Sequence, residues 1–577
     1  MRLRPFYRYL FLLFLTLGVF YPSIFGEALS LDDSHMIEAI LNRGEFAIET
    51  LFFPQEGLYY YRPLLYLSFV TDFFLFGCRP EIMHFENILI HAANVLLLAW
   101  LAHRFFSFRS EGERLAPWLI AAFFAIHPLV TESANWISGR TDLMAAFFSL
   151  LAAASFLRDN NDKQGWRDWL AALFLLLGLL CKEVAAATGL ALALSLFWRE
   201  IPGYTSIWEK RLLRLLPIFF AILVYLWMRT DLNIMQNSGF AAVVNGSDKV
   251  SGISWWPKTA NAFVALGFYA KKIIWPFPLN FAIINVNRSF YLPLGIFIFC
   301  ASVWLAYKHQ GRTSFSLLWS LLHILPALAV AASAMAWTPV AERYLYISLA
   351  GFLLATGLFL NKLYSSSGNK ILFLLLLILL IGFGATTVQR NITWQSNLKL
   401  FEDTVAKSPN MAILHSEYAI ALLNAGQKEK AQQQFEIASK IGTGKALHVA
   451  QLNLQEYHVA FSAKDDSQLL ELLSQKSSDP FYQKWLLHKQ ARYLTNKGLA
   501  EKDPNRQRLI NEQELDVQKQ IYKAEGDPYA LYRQGQLYLA LGNKKLAATR
   551  FHETCKKSTE FYTQAACSLA KRLQEEP

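Results

Sequence analysis

Charged side chains are scarce in this 577-residue chain: Asp, Glu, Lys and Arg make up 17% of it, whereas 54% of the residues are hydrophobic. A soluble protein carries about a quarter charged residues, so a large soluble fold is excluded as the main architecture. Cysteine is scarce too, and the five cysteines show no metal-ligand spacing. The chain also has no P-loop, no dinucleotide-binding glycine motif and no G-x-S-x-G elbow.

Long apolar runs are abundant, and several reach the roughly 20 residues needed to cross a bilayer. Short loops rich in Lys and Arg stay in the cytoplasm, and alternate gaps between the runs are basic, which places the N-terminus inside and the C-terminus outside. The net charge of +11 lies at the ends of the runs, so it indicates membrane lipid and no nucleic acid. The eleven predicted spans are 6–26, 84–106, 115–135, 141–158, 167–182, 184–198, 212–229, 290–307, 314–335, 343–361 and 370–389.

One apolar segment, at about 258–276, is predicted to be an interfacial or re-entrant helix on the outer face. It carries Lys258, Lys271 and Lys272 among aromatic residues that suit the headgroup region. Counted as a span, it would break the alternation of basic loops after it, although an ordinary span stays an alternative.

Two adjacent acids, Asp32 and Asp33, follow the first span and open the predicted outer loop at 27–83, with His35 beside them. Carboxylates at a membrane face are costly and usually have a function. One such function is general-base chemistry, in which a carboxylate takes the proton from an acceptor hydroxyl. The alternative is structural, because Asp before an apolar-periodic stretch also suits a helix N-cap.

Further polar residues fall on the same predicted outer side, at the tips of three other hairpins. Arg and Lys there could hold the phosphate of a polyprenyl-phosphate sugar, and we assign that role to Arg140, Lys182 and Arg343. Interface anchoring and a structural Lys182–Glu183 ion pair remain alternatives. The supporting polar residues of this predicted site are His35, Glu132, Asp142, Glu183, Glu342 and Tyr344.

No cluster of His, Cys and Asp has the spacing of a transition-metal site, so the sequence predicts no metal centre and no certain cofactor. A divalent ion held by Asp32 or Asp33 together with a donor phosphate stays open.

After about residue 390 the apolar runs stop, and helical periodicity continues in a polar sequence. Two stretches have the spacing of tetratricopeptide repeats, with Gly426 and Gly542 at their turns and Phe435 and Phe551 on their second helices. Residues 445–520 are predicted to be a degenerate helical region between them. Cys555 and Cys567 could pair across two helices. The repeats would either cap the membrane domain or bind an acceptor protein or partner.

These pieces occur in one order: the DD loop, HPLVTESANWISGRTD, the LCKE turn, GFYAKKIIWPFPLNF, AERYLYISL and then the repeats. In that combination the chain resembles the transmembrane and tetratricopeptide-repeat family of O-mannosyltransferases within the GT-C superfamily. The resemblance implies an all-α fold, with a polytopic GT-C-type bundle of about eleven transmembrane helices at 1–390 and a short tetratricopeptide-repeat solenoid at 391–577.

The resemblance also implies an inverting transferase that moves mannose or another hexose from a polyprenyl-phosphate donor to a hydroxyl, with Asp32 and Asp33 in the base role. The short repeat array favours a bacterial member, with the repeats in the periplasm; a eukaryotic member would place them in the endoplasmic reticulum lumen. Repeats that bind protein favour a protein Ser/Thr acceptor. A glycolipid or cell-wall acceptor, a non-catalytic envelope scaffold and a transporter are the alternatives.

Overall fold

The computed structural model describes residues 3–41, 51–52, 61–106, 115–157, 165–198, 207–230, 255–284, 286–308, 311–333, 338, 340–367, 370–442, 480–557 and 562–575, with a few residues of 450–476. This part of the chain is all α-helical, with one isolated β-bridge between Ile283 and Val340. The predicted all-α fold is therefore confirmed. The chain divides into two compact units, one ending at Pro409 and the other beginning at Asn410.

The first unit is a bundle of long apolar helices around one shared hydrophobic core. Its helices are α1 (Leu3–Phe20), α2 (Asp33–Leu41), α3 (Pro63–Phe76), α4 (Pro80–Phe105), α5 (Ala116–Ile126), α6 (Thr131–Asn135), α7 (Arg140–Phe156), α8 (Trp166–Cys181), α9 (Ala186–Ser195), α10 (Trp208–Thr230), α11 (Trp255–Ile274), α12 (Arg288–Lys308), α13 (Arg312–Ser333), α14 (Tyr346–Ser367), α15 (Lys370–Trp394) and α16 (Asn397–Lys407).

Each of the eleven predicted spans overlaps one helix of this bundle: α1, α4, α5, α7 to α10 and α12 to α15. Three of these helices, α5, α8 and α9, have 11, 16 and 10 residues, fewer than the roughly 20 that a straight crossing needs. Among the described residues, eight helical stretches are long and apolar enough to cross a membrane: Phe6–Phe25, Pro80–Phe105, Ile137–Phe156, Trp208–Arg229, Arg288–Leu305, Arg312–Ala332, Glu342–Leu360 and Ile371–Trp394. Several expose large apolar side chains, such as Leu213, Phe219 and Phe297. Such outward apolar faces suit lipid contact, so this is a multi-pass membrane protein.

The predicted span at 115–135 is too long, because α5 ends at Ile126. Pro128 disfavours helical backbone at the residue before it, and His127 is accordingly extended (φ −66°, ψ 129°). The chain continues through two short 3₁₀ turns and α6, and α7 begins at Arg140. Gly139 permits this folding back, since a Cβ there would lie 2.5 Å from the carbonyl oxygen of Ser133. The polar residues of this segment are thereby buried at the end of the bundle.

The segment predicted to be interfacial forms α11 and packs closely against α12. Gly267 and Gly295 face each other at this crossing, and a Cβ on Gly295 would lie 1.8 Å from the carbonyl oxygen of Phe263. Small residues permit such close approach between membrane helices. The position of α11 relative to the bilayer stays a prediction.

The second unit contains helical hairpins, as the repeat pattern predicts. Its described helices are α17 (Ala412–Asn424), α18 (Lys428–Ile441), α19 (Pro480–Ala500), α20 (Pro504–Glu525), α21 (Pro528–Ala540), α22 (Lys544–Lys557) and α23 (Thr563–Glu575). Gly426 and Gly542 have φ of 75° and 80° at the two predicted turns, a conformation that glycine adopts without strain. The predicted boundary after residue 390 falls inside α15, whereas the first unit extends to Pro409.

Cys555 and Cys567 form a disulfide that joins α22 to α23, as the spacing allowed. Phe551 is fully buried beside it, against the backbone of Gly535, where a Cβ would lie 2.6 Å from the ring. Disulfides persist in oxidising compartments. The side of the membrane on which the repeat unit lies stays a prediction.

Candidate functional site

Asp33 ties the loop that follows α1 to the segment between α6 and α7. Its carboxylate accepts hydrogen bonds from the amides of Leu29 (3.2 Å), Ile137 (3.3 Å) and Ser138 (2.9 Å), and from the Ser138 hydroxyl (2.6 Å). The side chain is 1% exposed. Burial raises the pKa of Asp33 to about 6, although the bonds from Ser138 and Leu29 oppose that shift. These four hydrogen bonds hold the Asp33 carboxylate inside the fold.

Asp32 differs from its neighbour because its side chain is exposed. Its carbonyl oxygen accepts the amide of Met36 at 3.0 Å in the first turn of α2. The two adjacent acids thus have different surroundings, with Asp33 inside the fold and Asp32 at its surface. His35 lies on α2, but its side chain falls outside the described part of the structure. Of the predicted pair, Asp32 is the one with an exposed side chain.

Glu132 and Arg343 form a buried pair beside this loop. Arg343 donates from its guanidinium (2.5 Å) and from its backbone amide (3.0 Å) to the two oxygens of Glu132. The guanidinium also lies over the rings of Trp136 and Tyr344, 4.8 and 4.9 Å from their centres. Burial raises the pKa of Glu132, and Arg343 counteracts it. Because Trp136 immediately precedes the residues that bind Asp33, this pair is linked to the acidic loop.

Lys182 also contacts Tyr344. Its ammonium is 2.6 Å from Asp142 and 5.4 Å from the centre of the Tyr344 ring. Tyr344 therefore contacts both of the predicted phosphate ligands Lys182 and Arg343. Each cation retains some exposure, 14% for Lys182 and 11% for Arg343, so both stay accessible to an anion.

Two further cations, Arg62 and Arg229, extend this cluster and were missed by the sequence analysis. Each lies 3.7 Å from a carboxylate oxygen of Glu183, the residue after Lys182. The predicted Lys182–Glu183 ion pair is not formed, since each of these residues pairs elsewhere. Arg229, in the last turn of the apolar helix α10, could have been identified, because a charge in such a helix usually has a functional partner.

The cluster as a whole carries excess positive charge. Its four cations surround three acids, so one positive charge is left to attract an anion such as a phosphate. We call this set the central cluster; its ionic members are Arg62, Glu132, Asp142, Lys182, Glu183, Arg229 and Arg343, with Tyr344 between them.

Arg140 is occupied differently from the other two predicted phosphate ligands. It is 1% exposed and pairs with Asp72 (2.8 Å) and Glu86 (3.0 Å). Its remaining donors reach the Asn87 side chain (2.9 Å) and the Met83 carbonyl (3.1 Å). Protein acceptors thus surround the guanidinium, which joins α3, α4 and the start of α7. The donors of Arg140 are thus engaged within the protein.

Glu342 belongs to a separate polar contact, although it precedes Arg343 in the chain. Its carboxylate accepts from Lys272 (2.5 Å) and from the amide of Asn280 (3.1 Å), and both Lys272 and Glu342 are 2% exposed. The pair fixes the turn after α11, where Lys272 also donates to the carbonyl of Pro276 at 3.0 Å. Glu342 therefore fixes the backbone next to Arg343 to the turn after α11.

Among the described residues, no group of three or more His, Cys, Asp or Glu side chains is arranged to hold a metal ion.

Comparison with known proteins identifies animal relatives. The chain is 25% identical over 471 residues to protein O-mannosyl-transferase Tmtc1 of Drosophila melanogaster, covering 66% of this chain and 53% of that protein. It is 23% identical over 419 residues to protein O-mannosyl-transferase TMTC3 of Homo sapiens, covering 66% and 44%. A stretch of 139 residues is 34% identical to protein O-mannosyl-transferase TMTC4 of Homo sapiens, covering 21% and 19%.

The chain thus spans about half the length of the first two relatives. No protein-family profile and no solved structure matches it. The similarity is to the family that the sequence motifs resemble, while the expected bacterial origin gains no support from these animal proteins.

Proposed function

We propose that this chain is an integral membrane glycosyltransferase of the transmembrane and tetratricopeptide-repeat O-mannosyltransferase type. It moves a hexose from a polyprenyl-phosphate donor to a hydroxyl of protein Ser or Thr, with inversion, on the extracytoplasmic face. The relatives, which are named protein O-mannosyl-transferases, support the sugar and the acceptor class. The disulfide supports the assignment of the repeat unit to the extracytoplasmic side.

The observation that carries the proposal is the link between the acid pair and the central cluster. Asp33 binds residues 137 and 138, and Trp136 next to them supports Arg343. The acid pair and an anion-attracting cluster are thereby held by the same short segment. Such fixed placement of reacting groups is what group transfer requires.

In the mechanism we propose, exposed Asp32 accepts the proton of the acceptor hydroxyl as its oxygen attacks the anomeric carbon of the sugar. The bond from that carbon to the phosphate oxygen breaks, and the electron pair leaves with the polyprenyl phosphate. Lys182 and Arg343 stabilise the negative charge that grows on the phosphate. Asp33 and Arg140 position the two outer loops. The backside attack exchanges substituents in one step, so the configuration inverts.

The test is sugar transfer in membranes that contain the full chain, with radiolabelled polyprenyl-phosphate sugars as donors and label counted in protein and lipid fractions. Asp32→Asn removes the base, and Glu27→Gln is the matched control, because Glu27 is an exposed acid of the same loop that binds Asn397. We expect label in protein with wild type and the control, and none with Asp32→Asn. Label found only in lipid would assign a glycolipid acceptor. Equal label in every variant and in membranes from cells with the empty vector would overturn the proposal.

A further inference from the structure

Helix α16 lies in the first unit, although the sequence analysis assigned its residues to the repeat region. Asp403 on this helix pairs with Arg390 of α15 at 2.5 Å, which fixes α16 to α15. Positions at intervals of three or four residues share one side of a helix. On α16 this side is buried and consists of Leu400, Phe401, Thr404 and, directly after the helix, Ser408. The opposite side exposes Lys399 and Glu402.

The N-terminal residue of α16, Asn397, holds the loop that carries the acid pair. Its side-chain oxygen accepts from the amide of Ser30 (3.1 Å), and its side-chain nitrogen donates to the carbonyl of Ala28 (2.9 Å). The carboxylate of Glu27 also accepts from the backbone amide and the side chain of Asn397. Because Ser30 is two residues before Asp32, these bonds restrain the acidic loop close to both acids.

The opposite end of α16 holds the turn that follows α11. Lys407 donates to the carbonyl of Leu279 (2.8 Å), and the Ser408 hydroxyl donates to the carbonyl of Ala282 (2.6 Å). The same hydroxyl accepts from the side-chain nitrogen of Asn280 (2.9 Å). The backbone of this turn is thereby fixed to α16 along residues 279–282.

The turn in its own right holds the residues that precede Arg343. The backbone amide of Asn280 donates to the carboxylate of Glu342 (3.1 Å), and Ile283 forms the β-bridge with Val340. Glu342 is directly followed by Arg343, the predicted phosphate ligand. The C-terminal end of α16 is therefore connected to Arg343 through Asn280 and Glu342.

Aromatic contacts from the middle of α16 reach the same arginine. The Phe401 ring lies 6.5 Å from the ring of Phe281, which lies 6.4 Å from the ring of Trp136. The Arg343 guanidinium lies over Trp136, 4.8 Å from the ring centre. Phe401 and Phe281 are fully buried. Because close-packed interiors transmit displacements, a shift of α16 would reach Arg343 by this route too.

We propose that α16 sets the position of the acidic loop relative to the phosphate-binding cations, with Asn397 and Ser408 as positioning residues at its two ends. Over its 11 residues the helix rises about 16 Å at 1.5 Å per residue, so it acts as a rigid spacer between the two. This inference rests on the proposed function for the roles of Asp32 and Arg343. Group transfer needs both groups in register, since small displacements of reacting groups cost large factors in rate.

The two ends of α16 should affect different kinetic parameters of sugar transfer by the full chain in membranes, with the polyprenyl-phosphate sugar varied. Asn397→Ala releases the acidic loop and leaves the cations in place. We expect kcat to fall about tenfold or more, with the KM for the donor within about twofold of wild type. Ser408→Ala loosens the turn behind Arg343, so we expect the KM for the donor to rise about fivefold or more.

Matched controls and a conservative variant separate positioning from general stabilisation. Lys399→Gln and Glu402→Gln change exposed side chains of the same helix and should transfer as wild type. Ser408→Thr keeps the hydroxyl, so the KM for the donor should return towards that of wild type. A fall of kcat and a rise of KM together in both Asn397→Ala and Ser408→Ala, in proportion to lost thermal stability, would overturn the positioning role.

Hydrogen–deuterium exchange of the purified full chain tests the same contacts without sugar transfer. We expect Asn397→Ala to raise amide exchange about fivefold or more in peptides that cover 27–36, and not in those that cover 276–283. Ser408→Ala should show the opposite pattern, and Glu402→Gln should exchange as wild type. Wild-type exchange in both segments of both alanine variants would overturn the proposal.

Variants that fail to fold have milder replacements. Asn397→Asp keeps the acceptor for Ser30 and loses the donor to Ala28, so it should raise exchange at 27–36 as Asn397→Ala does. Asn280→Asp likewise loses the donor to Ser408 and should raise exchange at 276–283. Wild-type exchange with both replacements would overturn the role of α16.

The exchange and transfer results distinguish this proposal from the proposed function. Faster exchange in the expected segments, with no transfer by the wild-type chain, supports the role of α16 as a spacer and refutes the proposed activity. Transfer that depends on Asp32, with kcat and KM unchanged in Asn397→Ala and Ser408→Ala, refutes the role of α16 and leaves the proposed activity standing.

Discussion

Asp33 and Ser138 are 105 residues apart in the chain, yet the amide and the hydroxyl of Ser138 both donate to one carboxylate oxygen of Asp33. This double contact holds the acidic loop against the segment that carries Trp136. It engages Asp33 inside the fold, whereas the proposed proton acceptor, Asp32, is exposed. The two acids should therefore fail in different ways when they are replaced.

Asp32→Asn is expected to lower transfer by at least about 100-fold, the usual contribution of a general base, with little change in thermal stability. Asp33→Asn should lower both, because an amide nitrogen would face the donors of Leu29, Ile137 and Ser138. Transfer and melting temperature, measured on the same preparations, check this. Equal losses of stability in the two variants would contradict the division of roles.

The pKa of Asp33 predicts a pH dependence of stability with a definite sign. Burial raises this pKa from its ordinary value of 3.8 to about 6, so the folded chain holds the proton more tightly than the unfolded chain. The contribution to the unfolding free energy is full below about pH 4 and falls as the pH rises to about 6, by about 3 kcal/mol for a shift of this size.

Asp33→Asn cannot titrate and is the control for this effect. The difference in unfolding free energy between wild type and Asp33→Asn should change with that sign between pH 4 and 6 and be flat above it. Urea unfolding across this range measures it. A difference that grows in favour of wild type with rising pH would show that the four hydrogen bonds outweigh burial.

Helix positions were predictable from the sequence because long apolar runs indicate helices, and each predicted span overlaps a helix. The early end of α5 could have been read from Pro128, which breaks an otherwise apolar run. The site was predicted only as a set of candidates on one side of the membrane. Which cation meets which acid depends on how helices far apart in the chain pack.

Arg140 illustrates this limit. Its charge and position suggested a phosphate ligand, but Asp72 and Glu86 surround it in the structure. Both acids lie within apolar helices and were visible in the sequence as charges that need partners. Pairing them with Arg140 requires the approach of α3 and α4 to α7, which no local pattern specifies.

Breaking the Glu132–Arg343 pair should destabilise the fold, whereas replacing both partners should not. Glu132→Met leaves the Arg343 guanidinium buried without its carboxylate, which typically costs about 3–5 kcal/mol. Glu132→Met combined with Arg343→Met should regain most of that stability, since apolar pairs often substitute for buried ion pairs. Thermal unfolding in detergent checks both, with Asp516→Asn, a change in the second unit, as a control for handling.

Measuring sugar transfer by the same variants tells whether Arg343 acts in the reaction or only in stability. If Arg343 stabilises the donor phosphate, the double variant stays stable but remains inactive. Arg343→Lys should also have low transfer activity, because an ammonium cannot stack as a planar group over Trp136 and Tyr344. A stable double variant with wild-type transfer would remove Arg343 from the proposed mechanism.

Arg140 is expected to act on stability and not on donor binding. Arg140→Met leaves Asp72 and Glu86 close together without a cation, so we expect a loss of about 3–5 kcal/mol, and Asp72→Asn in the same chain should restore part of it. In the restored variant, the KM for the polyprenyl-phosphate sugar should match wild type. A KM raised at least tenfold, with stability regained, would return Arg140 to the phosphate site.

The disulfide between Cys555 and Cys567 offers a test of compartment and of repeat stability together. Closing a loop of this size stabilises a fold by about 3 kcal/mol in the chain-entropy account, so Cys555→Ser should lower the melting temperature of the repeat unit. In intact cells, free thiols are first blocked, disulfides are then reduced, and the newly exposed thiols receive a mass tag. Cys555 and Cys567 should escape blocking and be tagged only after reduction, whereas buried Cys181 is a free thiol before and after reduction. Cys300→Ser, which removes an exposed free thiol, is the matched control. Free thiols at both 555 and 567 in cells would place the repeats in a reducing compartment and contradict the proposed extracytoplasmic side.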